Sequence, residues 1–308
     1  MQIYLPIAEL SVNVLIILAM GGAVGFLSGM FGVGGGFLIT PLLIFMGISP
    51  AVAVATGANQ VVASSVSGAL TQWRRQNVDV KLGTIMLTGG ILGSIGGVQI
   101  VKILRALGQI DLFISLTYVT FLGIIGALML IESVNALLRN RQGSTAQQRR
   151  QSHRNWLHKL PLKQRFHRSK LYISAIPPFA LGVLVGFLSA IMGVGGGFVI
   201  VPAMIYLLKV PTNVVFGTSL FQTVFVGAFT TIMQAYQNQT VDAVLAGILI
   251  VSGVIGAQIG VQTSARLKAE QLRAILALLV LAVAVRLAFG LIVRPEDIFS
   301  IAPVAVTS

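Results

Sequence analysis

The chain has 308 residues, 56% of them apolar and only 9% charged, with no cysteine and a formal net charge of +13. Soluble domains carry roughly a quarter charged residues, so this composition argues for lipid as the solvent, and the missing cysteine excludes disulfides, thiolate nucleophiles and Cys-ligated metals. The positive charge is not spread as a nucleic-acid footprint: ten of the 21 Lys and Arg fall between Arg139 and Lys170, where no Asp or Glu occurs, as in a cytoplasmic loop under the positive-inside rule.

Before the first apolar run stands Glu9 and no Lys or Arg, so the first span is expected to be retained rather than cleaved as a signal peptide. Five apolar segments follow: Val12–Met30, Phe37–Gly47, Ala51–Trp73, Leu82–Leu104 and Ile110–Leu138. They are continuous rather than alternating, which predicts helices, and in hydrocarbon a helix satisfies its own backbone hydrogen bonds. A polar stretch over residues 139–170 holds all three histidines, His153, His158 and His167, so no histidine metal or proton site is expected within the spans. Beyond it come Leu171–Met192, Phe198–Leu208, Thr212–Tyr236, Ala243–Ala265 and Gln271–Val293. The second segment of each half spans roughly 16 Å as a helix, about half a bilayer.

The two sets of five are copies. Gly25-Phe-Leu-Ser-Gly-Met-Phe-Gly-Val-Gly-Gly-Gly-Phe-Leu-Ile-Thr-Pro41 returns as Gly186-Phe-Leu-Ser-Ala-Ile-Met-Gly-Val-Gly-Gly-Gly-Phe-Val-Ile-Val-Pro202. Thr56 and Gln60 return as Thr218 and Gln222, Asp79 as Asp242, and Gly90, Gly93 and Gly97 as Gly253, Gly256 and Gly260. The expected class is therefore an all-α integral membrane protein with about ten transmembrane segments in two five-segment repeats. Residues 1–138 form the first repeat, 139–170 a basic linker and 171–308 the second repeat. If all ten segments cross, Arg74, Arg75, Lys81, Lys209, Arg266, Lys268 and Arg273 join the linker inside, against Lys102, Arg105 and Arg294 outside. An eight-span alternative with re-entrant short segments reverses that bias. Ten spans obey the positive-inside rule, and five being odd, the repeats are then inverted, a recurring plan among secondary transporters.

The doubled Gly-Val-Gly-Gly-Gly-Phe motif, each copy followed by a proline, resembles the TauE/SafE family, also called the sulfite exporter or TSUP family. Gly217-Thr-Ser-Leu220 is similar to that family's third-segment pattern, from which Ala55-Thr-Gly-Ala-Asn59 departs in the first half. The resemblance covers about Val12 to Val293. It implies a multi-pass transporter of the inner (plasma) membrane that moves a small anion such as sulfite or a sulfonate, with H+ or Na+ as a coupling ion and no cofactor. An anion channel of the same fold and a non-transporting membrane assembly protein are the alternatives; no catalytic set occurs in the spans.

The expected solute site combines the glycine breaks with polar residues of the third spans: Gly34, Gly35, Gly36, Thr56, Asn59 and Gln60, with Gly195, Gly196, Gly197, Thr218, Ser219 and Gln222. A glycine break before a short helix leaves N–H groups and a positive dipole end available to an anion. The same glycines also suit close helix packing. Thr56 with Gln60, and Thr218 with Gln222, are spaced to share a helix face. The fourth-span glycines read as packing faces, Asp79 and Asp242 as helix caps, and Arg286 and Glu132 as snorkelling side chains. The linker is expected to be cytoplasmic and to touch anionic lipids. A single cysteine introduced there should resist membrane-impermeant reagent in intact cells; labelling from outside would sink the ten-span topology.

Overall fold

The computed structural model describes residues 2–31, 34–141, 163–166, 168–169, 171–264 and 269–292. Ten helices occur among them: α1 (Val14–Phe31), α2 (Gly36–Phe45), α3 (Pro50–Arg74), α4 (Val80–Ala106), α5 (Ile110–Arg141), α6 (Ile176–Met192), α7 (Gly197–Tyr206), α8 (Thr212–Asn238), α9 (Ala243–Ser264) and α10 (Ala269–Ile292). Five of the helical stretches, in α1, α4, α5, α8 and α9, are long and apolar enough to cross a membrane on length and composition. Helix α3 has the length, but its Thr, Asn, Gln and Ser residues dilute its hydropathy.

Two short elements were not anticipated. Antiparallel hairpins β1–β2 (Gln2–Leu5, Leu10–Asn13) and β3–β4 (Lys163–Phe166, Leu171–Ser174) precede α1 and α6. Each strand of one stands at a constant shift from its counterpart, so the repeat reaches back to Gln2 and Lys163. The segments expected as Val12–Met30 and Leu171–Met192 therefore begin as strands. Helix α6 starts only at Ile176, where the Ser174 Oγ accepts a bond from the Ile176 amide and prolines occupy the first turn, as fits a helix start.

The halves are interlocked rather than side by side. Helix α1 packs most extensively on α9, α4 on α6, α5 on α10 and α3 on α8. These pairs are reciprocal: the first helix of each half lies against the fourth of the other. Glycines allow it. A β-carbon at Gly25 would strike the Gly253 carbonyl, one at Gly256 the Gly22 carbonyl, one at Gly186 the Gly90 carbonyl and one at Gly93 the Val183 carbonyl. The backbones thus touch directly, which is how helices pack in lipid, where no hydrophobic effect drives them together. The fourth-span glycines are packing faces as the sequence suggested, except Gly96, which meets nothing within 4 Å.

Two buried aspartates fasten the ends. Asp79 caps α4 through the Leu82 amide (3.2 Å), accepts from the Ser169 amide (3.0 Å) and hydroxyl (2.7 Å) in the second hairpin's turn, and donates its own amide to Thr218 of α8 (3.1 Å). Asp242 repeats the arrangement: it caps α9 through the Val244 and Leu245 amides, accepts from the Ile7 amide in the first hairpin's turn (3.0 Å), and donates to Thr56 of α3 (3.0 Å). Gln76 and Gln239, three residues before each aspartate, both adopt positive φ (59° and 49°) to make the turn. Hydrogen bonds to a charged group contribute about 1.5–3 kcal/mol. Asp79→Ala and Asp242→Ala should each lower the melting temperature of the detergent-purified protein by several degrees. Asp111→Asn, at an exposed first turn of α5, should change it far less; equal losses for all three would refute the fastening role.

Candidate functional site

The glycine breaks between α1 and α2 and between α6 and α7 pass each other near the middle of α3 and α8. Gly34, Gly35, Gly195 and Gly196 have φ of 90°, 69°, 69° and 74°, a left-handed conformation that glycine adopts without steric cost. Gly35 and Gly196 stand at the N-caps of α2 and α7, and neither helix has a side-chain cap. Both helix N-termini thus keep their dipole ends without a side-chain partner. The loops touch: a β-carbon at Gly36 would come within 2.7 Å of the Val194 Cα, and one at Gly195 within 2.6 Å of Thr223 and 2.7 Å of Val61. Phe37 and Phe198, each following its glycine run, face each other with ring centroids 6.0 Å apart.

Three side chains of α3 and α8 border this crossing. Val61 reaches Gly34, Gly36 and Gly195. The Thr223 hydroxyl donates to the Gly195 carbonyl (3.1 Å). Ser65 is fully buried beside Gly34, and its hydroxyl has no hydrogen-bond partner. A buried polar atom left unpaired is uncommon and calls for an explanation.

Of the residues expected from sequence, Gly34, Gly36 and Gly195 come together here, and Gly35, Gly196 and Gly197 shape the two helix starts. The third-span polar residues take other positions. Thr56 and Thr218 receive the amides of Asp242 and Asp79 toward the helix ends. Asn59 bonds the Ala55 and Thr56 carbonyls of its own helix, and the Ser219 hydroxyl bonds Phe216. Gln60 leaves the loops for the α1–α9 crossing, where its Nε2 donates to the Gly21 carbonyl (2.9 Å) and its stem fills the space over Gly253. Gln222 does likewise toward α4, reaching the Met86 carbonyl at 3.5 Å beside Gly90. Each amide nitrogen faces a carbonyl, and each amide oxygen is buried and without a partner.

The glycine-facing stripe is thus one residue further along each helix than the Thr–Gln stripe. Ser65 and Thr223 stand in the sequence among the polar residues of these spans, and advancing the Thr–Gln pattern by about 100° would have singled them out together with Val61. Arg286 lies on the exposed side of α10 with its guanidinium over the Phe45 ring, 5.2 Å from the centroid, and so outside the bundle interior. The Glu132 side chain and the three histidines fall outside the described residues.

No solved structure matches the chain. Curated relatives do. A "Probable membrane transporter protein" of Xylella fastidiosa (strain 9a5c) is 29% identical over 89% of this chain and 94% of its own length. "Probable membrane transporter protein YjnA" of Bacillus subtilis (strain 168) is 28% identical over 86% and 96%. From the same organism, "Probable membrane transporter protein YunE" is 24% identical over 92% and 98%. The family model for the sulfite exporter TauE/SafE matches residues 17–287, nearly the whole described bundle, and the chain therefore belongs to the TauE/SafE family of multi-pass membrane transporters.

Proposed function

We propose that this protein is a secondary transporter of a small anion, sulfite or a sulfonate being the favoured class, that works by alternating access of two inverted halves crossing the inner (plasma) membrane ten times. One observation carries the reading: two uncapped helix N-termini, those of α2 and α7, meet across flexible glycine backbone beside the unpartnered Ser65 hydroxyl. That is a neutral, donor-rich setting. Amide and hydroxyl donors hold an anion without a fixed cation that would resist its release.

The inverted ten-span arrangement is supported by the two aspartate fastenings. Asp242 gathers the first hairpin, the start of α3 and the start of α9. Asp79 gathers the second hairpin, the start of α8 and the start of α4. Each half thus enters the bundle where the other half has its fourth-helix start, at opposite ends of α3 and α8. The charge bias favours a cytoplasmic linker end. The coupling ion is H+ or Na+; the buried amide oxygens of Gln60 and Gln222 suit Na+, since hard metal cations take oxygen ligands, whereas an amide oxygen does not carry a proton. The filled midline at Val61, Phe37 and Phe198 favours a carrier over a channel, because an open pore needs a continuous gap there.

Flux of labelled sulfite, thiosulfate, sulfate and taurine into vesicles bearing the purified protein tests the reading. Saturable flux of one of them is expected; none at all overturns it, and flux that never saturates favours a channel. Ser65→Ala should raise the half-saturation concentration roughly tenfold or more without lowering stability, because its hydroxyl bonds nothing in the protein and its unpaired burial is itself a cost. Unchanged kinetics would move the solute away from the crossing. Gly195→Ala should abolish flux and lower stability together, since the added carbon meets Val61 and Thr223 at a positive φ.

A further inference from the structure

At the linker end of the bundle, Trp73, Gln76, Val78, Asp79, Val80, Lys81 and Arg168 enclose a cavity of about 320 Å³. The Asp79 carboxylate is already engaged by the Leu82 amide and by Ser169. Lys81 is engaged only weakly, whereas Arg168 is held by Gln76. Lys81 reaches the Arg165 carbonyl at 3.4 Å and lies 5.9 Å from the Phe166 ring centroid, and Arg168 bonds the carbonyl and side-chain oxygens of Gln76. Among the described residues no carboxylate pairs with either cation. Lys81 and Arg168 together with the Asp79 carboxylate therefore wall the cavity, two formal positive charges against one negative.

The repeat supplies an internal control. Around Asp242 the same hairpin, cap and threonine assemble, yet the position matching Lys81 is Val244 and the position matching Arg168 is Ile7. No cation enters Asp242's own bonds, and the turn before it is held by Arg105 of α4, which bonds the Asn238 carbonyl, so Lys81 and Arg168 are not part of the fastening that the two ends share. Topology alone would be served by solvated charges such as Arg74 and Arg75, which are exposed on the same end.

We infer that this cavity is an anion-capture vestibule, present on the linker face only, in which Lys81 and Arg168 hold a free oxyanion at the mouth of the transporter. The assignment rests on the proposed anion transport and adds a second, asymmetric site to the neutral one at the glycine crossing. It gives the linker face the higher apparent affinity. The favoured occupant is the solute and not a lipid phosphate, because the cations come from two elements, Arg168 from beyond β3 and Lys81 from the start of α4.

The chain carries its own reporter. It has two tryptophans, Trp73 and Trp156, so Trp156→Phe leaves Trp73 alone at the cavity. In phosphatidylcholine vesicles at constant ionic strength, sodium sulfate should change Trp73 emission saturably. Lys81→Gln with Arg168→Gln should weaken that response roughly 2- to 30-fold, the range for two solvent-screened cations, whereas Lys81→Arg with Arg168→Lys should retain it. No saturable response in the parent, or an unaltered titration in the neutral variant, overturns the vestibule. So does a response that depends on added phosphatidylglycerol and ignores sulfate, which assigns the cavity to a lipid headgroup. Sulfate flux measured in parallel separates the two readings: flux without a Trp73 response removes the vestibule alone, and a response without flux removes sulfate transport alone.

Discussion

Direct contact between helix backbones is the constraint on which this architecture turns. Lipid tails are as apolar as leucine, so helices in a bilayer gain little from hiding side chains against each other. They gain from close approach, and α1 against α9 and α4 against α6 approach until a β-carbon at several positions would strike a carbonyl. Because both contacts join one half to the other, no half keeps its fourth helix to itself. The crossing of the two glycine breaks follows, since α1 and α6 end where their partners hold them. The polar work of α3 and α8 follows too: these two helices lie between the interlocked pairs and reach both.

The same geometry divides the polar residues by task. At the ends, Thr56 and Thr218 hold amides next to the aspartate caps. One turn inward, Gln60 and Gln222 give their N–H groups to carbonyls of α1 and α4. At the middle, Ser65 and Thr223 address the glycine loops. Burying an unsatisfied polar group costs about 1–3 kcal/mol, and Ser65, Gln60 and Gln222 each keep a buried oxygen without a partner, as do Thr40, Thr231 and Gln237.

Most of the fold could be read before the coordinates. Apolar run lengths gave all ten helices within a few residues, and the Gly-Val-Gly-Gly-Gly copies marked both breaks. Family membership was carried by the same motif. The hairpins escaped notice because Leu10–Asn13 and Leu171–Ser174 continue straight into apolar helices and their partner strands are only four residues long. The site was half legible. Helical spacing correctly grouped Thr56 with Gln60, but it could not say which flank of α3 meets the loops, because that rotation is set by tertiary contact with α1 and α9 rather than by periodicity. The pairing of first with fourth helices was likewise invisible, since small residues at helical spacing name a packing face and not its partner.

That exchange of partners has a consequence for biogenesis. Gly25 and Gly253 lie more than two hundred residues apart. At ordinary synthesis rates α1 waits roughly 10–45 s for α9 to emerge. Throughout that interval its glycine face lacks the helix it will pack on, and the first hairpin's Ile7 amide lacks its acceptor. Helix α4, by contrast, meets α6 soon after the linker is made. The second contact is therefore assembled early and the first last, so the earliest part of the chain to enter the membrane is among the last to be locked in place.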